Sequence, residues 1–171
     1  MATLQEEFIG MINAKNPGLG LTLNDVEFAD PVNYVPTGQG DTRNSALVIT
    51  AKADSPNFKG SKEYHFFRFN FTHPSGEDEP TTITTDLQTN WDADEWVLGM
   101  LNRALPNHKL DISDITVTRG ELQNDENEEQ YRDIKLKISP LHLKWQGTYV
   151  WRVYSGKDSL MWKDGELDGF V

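Results

Sequence analysis

Residues 3–28 of this 171-residue chain align with residues 92–117 at a constant shift of 89, and no other feature constrains the fold as tightly. Seven of the 26 aligned positions are identical: Glu6/Glu95, Gly10/Gly99, Met11/Met100, Asn13/Asn102, Pro17/Pro106, Leu21/Leu110 and Asp25/Asp114. Chance, at about 6% per position, gives one or two. The substituted positions keep their character, since Phe8, Ile9, Ile12, Leu23, Val26 and Phe28 face Val97, Leu98, Leu101, Ile112, Ile115 and Val117. After a loop two residues shorter in the second copy, the register resumes at a shift of 87. There Leu47, Ile49 and Ala51 face Ile134, Leu136 and Ile138, while Phe58, Gly60 and Tyr64 face Trp145, Gly147 and Trp151. Self-similarity at a fixed period predicts two copies of one small unit.

Each copy opens on a helix signal. Thr3 followed by Glu6, and Asp92 followed by Glu95, are spaced as capping boxes. In such a box the cap oxygen accepts a first-turn N–H and the glutamate reaches back to the cap's own N–H. Leu4, Phe8, Met11 and Ile12 then form one apolar stripe at a 3.6-residue period, as do Ala93, Val97, Met100 and Leu101. Pro17 and Pro106 end the helices. Alternation through Leu21, Leu23, Val26 and Phe28 predicts a strand with a local irregularity at Asn24-Asp25, matched by Ser113-Asp114. Two further alternating stretches, 47–51 with 62–71 and 134–138 with 148–154, predict a hairpin in each copy, with a turn ending at Gly60 or Gly147.

The expected fold class is therefore α+β, two tandem repeats of a helix followed by a small three-stranded antiparallel sheet. The first unit is expected over 1–71 and the second over 91–156. Residues 72–90, rich in turn formers and charge, form a linker in which Thr81 to Thr85 can add an edge strand; 157–171 is a C-terminal tail that can cross over to cap the other unit. A unit of roughly 70 residues is marginal alone, so the two are expected to pack together.

Composition removes several chemistries. There is no cysteine, hence no disulfide, thiolate zinc site, iron–sulfur cluster or cysteine nucleophile. A net charge of −11 without a locally basic face argues against binding phosphate backbones or anionic membranes. Eight Phe, five Trp and five Tyr are too much apolar material for a disordered acidic tail despite a mean hydropathy of −0.60. No basic-then-apolar leader opens the chain and no run of 18 apolar residues interrupts it, so a cytoplasmic, non-membrane protein is expected.

The chemistry-bearing residues read most simply as structural. His65, His73, His108 and His142 lack metal-ligand spacing; His73 lies near Glu77, Asp78 and Glu79, but a solvated loop histidine explains it. There is no phosphate-cradling glycine loop, nucleophile elbow or EF-hand loop. Glu121, Asp125, Glu126, Glu128, Glu129 and Asp133 crowd one polar loop and read as a solvated surface, while the equivalent 30–43 carries prolines and glycines instead. Trp145, Tyr149, Trp151 and Tyr154 can stack on sugars or bases, yet Trp145 and Trp151 take the positions of Phe58 and Tyr64 and so read as core. Neither a catalytic residue nor a cofactor or metal ligand is expected.

One feature escapes the plain core account. On a helical wheel Gly10 and Asn13 lie opposite the apolar stripe, yet both recur as Gly99 and Asn102, although a mid-helix glycine costs roughly 1 kcal/mol against alanine. Either common descent explains this, or the face closely approaches something, the sister unit or another protein. Gly10, Asn13, Gly99 and Asn102 are accordingly the candidate interface.

The segments Asn13-Ala14-Lys15-Asn16-Pro17, 21–28, 48–52 and Phe58-Lys59-Gly60-Ser61 together resemble a small repeated domain of virion structural proteins in jumbo tailed bacteriophages. The second copy resembles it less, with Trp145-Gln146-Gly147-Thr148 replacing Phe58-Lys59-Gly60-Ser61. The resemblance implies a non-enzymatic virion structural or assembly protein, made in the host bacterial cytoplasm, whose partners are other phage virion proteins. The main alternative is a non-virion phage accessory protein that binds a host or phage protein in the infected cell. A third is a hydrolase with scattered carboxylates, which no spacing supports.

Overall fold

The computed structural model describes residues 1–155 and 165–170. Two helices, eleven strands and three short 3-10 turns are present among them, and strand predominates. The chain divides into two compact units, and the division is not tandem. One unit comprises 1–71 with 105–109 and 138–147; the other comprises 72–104, 110–137 and 148–171. Two segments that the repeat places in the second copy thus belong with the first.

In the first unit, helix α1 (Leu4–Lys15) starts at the expected box: Thr3 Oγ1 accepts from the Glu6 N–H at 3.1 Å, and the Thr3 N–H donates to Glu6 Oε2 at 2.7 Å. Its buried face is Phe8, Ile9 and Ile12, with Met11 turned outward. A 3-10 turn at Leu23–Asp25 precedes β1 (Val26–Phe28), followed by β2 (Val32–Asn33), β3 (Ser45–Ala51) and β4 (Ser61–Phe66). Strand β3 is central, paired antiparallel with β4 on one side and with β1 and β2 on the other. Phe8 makes edge-to-face contacts with Phe28, Tyr64 and Phe66, at centroid distances of 5.8, 6.2 and 5.1 Å. Strand β5 (Phe69–Asn70) leaves this sheet and pairs in parallel with a strand from residues 138–147, described below.

In the second unit, β6 (Thr82–Thr85) precedes a 3-10 turn (Gln88–Asp92), helix α2 (Asp94–Asn102), a further 3-10 turn (Ile112–Asp114) and β7 (Ile115–Arg119). Then come β8 (Gln123–Asn124), β9 (Gln130–Ile138), β10 (Trp145–Gln146) and β11 (Thr148–Tyr154). The sheet order is β6-β11-β9-β7, with β8 also on β9; β6 lies parallel to β11 and β9 antiparallel to it. Trp91, Val97, Leu101, Ile134, Leu136 and Val153 form its fully buried core. Strand β10 is the partner of β5, in register Trp145↔Phe69 and Gln146↔Asn70, and so belongs to the first unit.

Two tandem units of a helix with a three-stranded antiparallel sheet are therefore not what this chain builds. The sheets have four, two and five strands, two of the pairings are parallel, and strand outweighs helix. The extra strands explain the difference. β2, β5, β8 and β10 span two residues each, too short to show alternation, and β6 gains its pairing from residues 69 positions away. The strand irregularities expected at Asn24-Asp25 and Ser113-Asp114 are instead 3-10 turns, each closed by its own small box, Thr22 with Asp25 and Asp111 with Asp114. The second helix box is also absent. Asp92 gives its carboxylate to Arg132 Nη2 at 3.0 Å, and the cap position falls on Ala93, which has no side-chain acceptor.

Of the expected 157–171 tail, residues 157–164 and 171 lie outside the described residues; 165–170 are exposed.

Candidate functional site

The repeated asparagines have an internal task. Asn13 sits on α1 with its Nδ2 donating to the Leu21 carbonyl at 2.8 Å and its Oδ1 accepting from the Leu21 N–H at 2.9 Å. Asn102 makes the same pair of bonds to Leu110, both at 2.9 Å. In each case the amide serves a donor and an acceptor on one buried residue, which pins the chain leaving the helix back against it. Only the side-chain amide of Asn or Gln sets a donor and an acceptor side by side on separate atoms of one planar group, and Gln is one methylene longer. Identity at 13 and 102 thus has a sufficient cause within the fold.

The glycines differ. A Cβ added at Gly10 or Gly99 meets no heavy atom within 4 Å, and neither residue has a positive φ. Neither side-chain crowding nor backbone conformation within the described residues requires glycine there. The recurrent glycines at 60 and 147 do have such a reason: φ is +85° and +97°, and each carbonyl accepts from the residue that closes the preceding strand, Ala51 at 2.9 Å and Ile138 at 3.0 Å.

His73 Nδ1 accepts from the Ser75 N–H at 3.0 Å within its own turn, and Asp78 pairs with Lys135. Among the described residues no three His, Asp or Glu side chains stand close enough to hold a metal ion. In the acidic loop, Asp125 is an organiser: it accepts from the Asn127 and Glu129 N–H groups at 2.8 and 2.9 Å and from the Tyr154 hydroxyl at 3.1 Å. Burial, and then this bond to Asp125, raise the Tyr154 phenol above its ordinary value. Asp133 holds Arg152 through two bonds of 2.9 and 3.0 Å. Trp145 and Trp151 are buried, Tyr149 and Tyr154 half-buried, and Phe58 is only half-buried where its partner Trp145 is 7% exposed. Positions 58 and 145, equivalent in the repeat, are thus not equally buried, because Trp145 sits on β10 against Phe69 and Phe71 while Phe58 is flanked by exposed residues.

What the sequence does not reveal is a cleft on the first unit, between the C-terminal half of α1 and the end of β4. Its volume is about 510 Å³. Phe8, Ile12, Tyr64 and Phe66 form its apolar wall, and Met11 and Phe67, each 56% exposed, stand at its mouth. Lys15, Asn16, Arg43 and His65 complete the lining, and no carboxylate belongs to it. Arg43 is bonded to Asp41 at 2.9 Å, and His65 to Glu63 at 2.9 Å while stacked on Tyr34 at 3.7 Å. A cleft of this size, with an apolar wall and few polar groups, has the form of a binding site. One signal was legible in advance. Phe66 and Phe67 are adjacent, and in an alternating strand only one of two neighbours faces the core.

The model of a family of unknown function (DUF7941) matches residues 2–169. No curated protein and no solved structure matches the chain.

Proposed function

The chain belongs to the family of unknown function DUF7941, and on that premise we propose that it is a non-enzymatic assembly protein, acting through protein contacts in the particle of a tailed bacteriophage. The open apolar cleft of the first unit carries this reading. Met11 and Phe67 expose apolar surface beside a ready-made hollow, an arrangement that costs solvation in a free monomer and is recovered when another polypeptide covers it. The likeness of residues 13–17, 21–28, 48–52 and 58–61 to a virion structural domain supplies the setting. The proposed partners are other virion proteins, and the proposed place of action is the virion, assembled in the host bacterial cytoplasm.

Quantitative mass spectrometry of purified particles tests the proposal. A fixed copy number per particle, reduced at least tenfold by Met11→Glu in an otherwise folded chain, is the expected result. Absence of the wild-type chain from particles overturns it in favour of an accessory role in the infected cell.

A further inference from the structure

The first unit's cleft has an acidic, apolar counterpart within the same sequence. Residues 165–170 read Gly-Glu-Leu-Asp-Gly-Phe: two large apolar side chains three positions apart, two carboxylates and no base. Leu167 is 85% exposed and Phe170 fully so. The cleft presents the complementary set, an apolar wall with Lys15 and Arg43 on its rim and no acidic residue in its lining. The chain as a whole carries a net charge of −11. That charge is uneven: residues 1–71 carry eight acidic and six basic side chains, against nineteen and ten in 72–171.

We propose that the cleft of one copy receives the 166–170 segment of a second copy, with Leu167 and Phe170 in the hollow and Asp168 toward Lys15 and Arg43. Resting on the assembly reading above, this names its first partner: the chain itself. Each copy shows both an open cleft and an exposed segment, so two copies satisfy each other reciprocally, as closed two-fold pairs do, or a series of copies does so head to tail. The mode is capture of a short extended segment by a preformed hollow. Its two anchors supply the affinity, and the rim charges set direction and salt dependence. Arg43 already shares Asp41, so Lys15 at the C-terminal end of α1 is the cation with most to gain.

The test uses the full chain. Sedimentation velocity across a concentration range up to about 100 µM is expected to show self-association for the wild type. It should be lost in Leu167→Asp/Phe170→Asp and, separately, in Met11→Glu. A fluorescent peptide of residues 165–170 with blocked ends should bind the Leu167→Asp/Phe170→Asp chain, at least tenfold more weakly once Met11→Glu is added, and more weakly as salt rises. Circular dichroism melts verify that each variant is folded, and Phe67→Glu replaces Met11→Glu if the latter is not. A wild type that stays monomeric at all concentrations overturns the inference. If its tail variant still binds the peptide, the segment occupies its own chain's cleft; if nothing binds the peptide, the cleft serves a different partner. Failure here with cleft-dependent incorporation into particles leaves the assembly reading standing; self-association by a chain absent from particles does the reverse.

Discussion

Asn13 and Asn102 each serve two main-chain groups with one amide, and the cost of removing them follows from what is left behind. In Asn13→Ala or Asn102→Ala, the N–H and carbonyl of a buried leucine lose their partners together, which should cost about 1 to 3 kcal/mol in denaturant melts. Asn13→Asp keeps the acceptor but turns a second oxygen toward the Leu21 carbonyl, so it should recover little. The glycines beside them behave oppositely. With open space around the Cβ position, Gly10→Ala and Gly99→Ala should each stabilise the chain by about 0.5 to 1 kcal/mol. If incorporation into particles falls in these more stable variants, the glycines serve a close contact with another molecule; unchanged incorporation marks them as inherited. At Asp25, hydrogen bonds from Thr22, with Ser55 and Lys52 assisting, hold the carboxyl below its ordinary value of 3.8. A depressed folded pKa contributes stability above the unfolded value and loses it as pH falls through the folded one. The melting-temperature gap between wild type and Asp25→Asn should therefore be constant near neutrality and close below about pH 4.

Among the elements, helix starts separate the two copies most sharply. α1 has Thr3 and Glu6 in a closed box, and Thr3→Ala should cost about 1 kcal/mol; α2 begins at Ala93, whose extended backbone (φ −95°, ψ 126°) is ready for a cap its side chain cannot supply. Ala93→Ser should add about 1 kcal/mol to stability in urea melts, a gain with no counterpart at position 3. This asymmetry shows where sequence reading stops. Spacing alone made Asp92 and Glu95 equivalent to Thr3 and Glu6, but Asp92 is drawn to Arg132, forty residues later, and no local pattern records that choice. The long pairings were legible because six or more alternating residues declare a face, as in β3 with β4 and β9 with β11. Two-residue strands declare nothing, and the parallel additions of β6 and β10 depend on partners remote in sequence. The cleft was hidden for a related reason. Met11 falls on the apolar stripe by spacing, and whether a stripe's edge is covered is decided by the width of the sheet beneath it, which the stripe does not encode.

For the chain as a whole, the two units are compact but not sequential, and this bears on where it can be cut. The first unit requires residues from after position 104. Trp145, 7% exposed, packs on Phe69 and Phe71 and donates to the His108 carbonyl at 2.9 Å; Leu143 packs against the cluster around Phe8, Ile12 and Leu47. Arg68 is the sharper case. Its guanidinium is almost wholly buried, with Nε donating to Ser45 Oγ at 2.6 Å and Nη1 to the Pro140 and His142 carbonyls at 3.0 and 3.3 Å; burial lowers its pKa. In a fragment ending at residue 71, the two carbonyls are gone and the guanidinium keeps Ser45 alone, in a unit that size makes marginal. A 1–71 fragment should therefore show no cooperative thermal transition and poor amide dispersion in NMR spectra, whereas the full chain should melt cooperatively. Arg68→Met in the fragment discriminates the cause. If the fragment fails chiefly because the cation is stranded, 1–71 carrying Arg68→Met should regain part of its structure; if it fails because Trp145 and Leu143 are missing, the substitution will not rescue it, and adding a peptide of residues 138–147 in trans should.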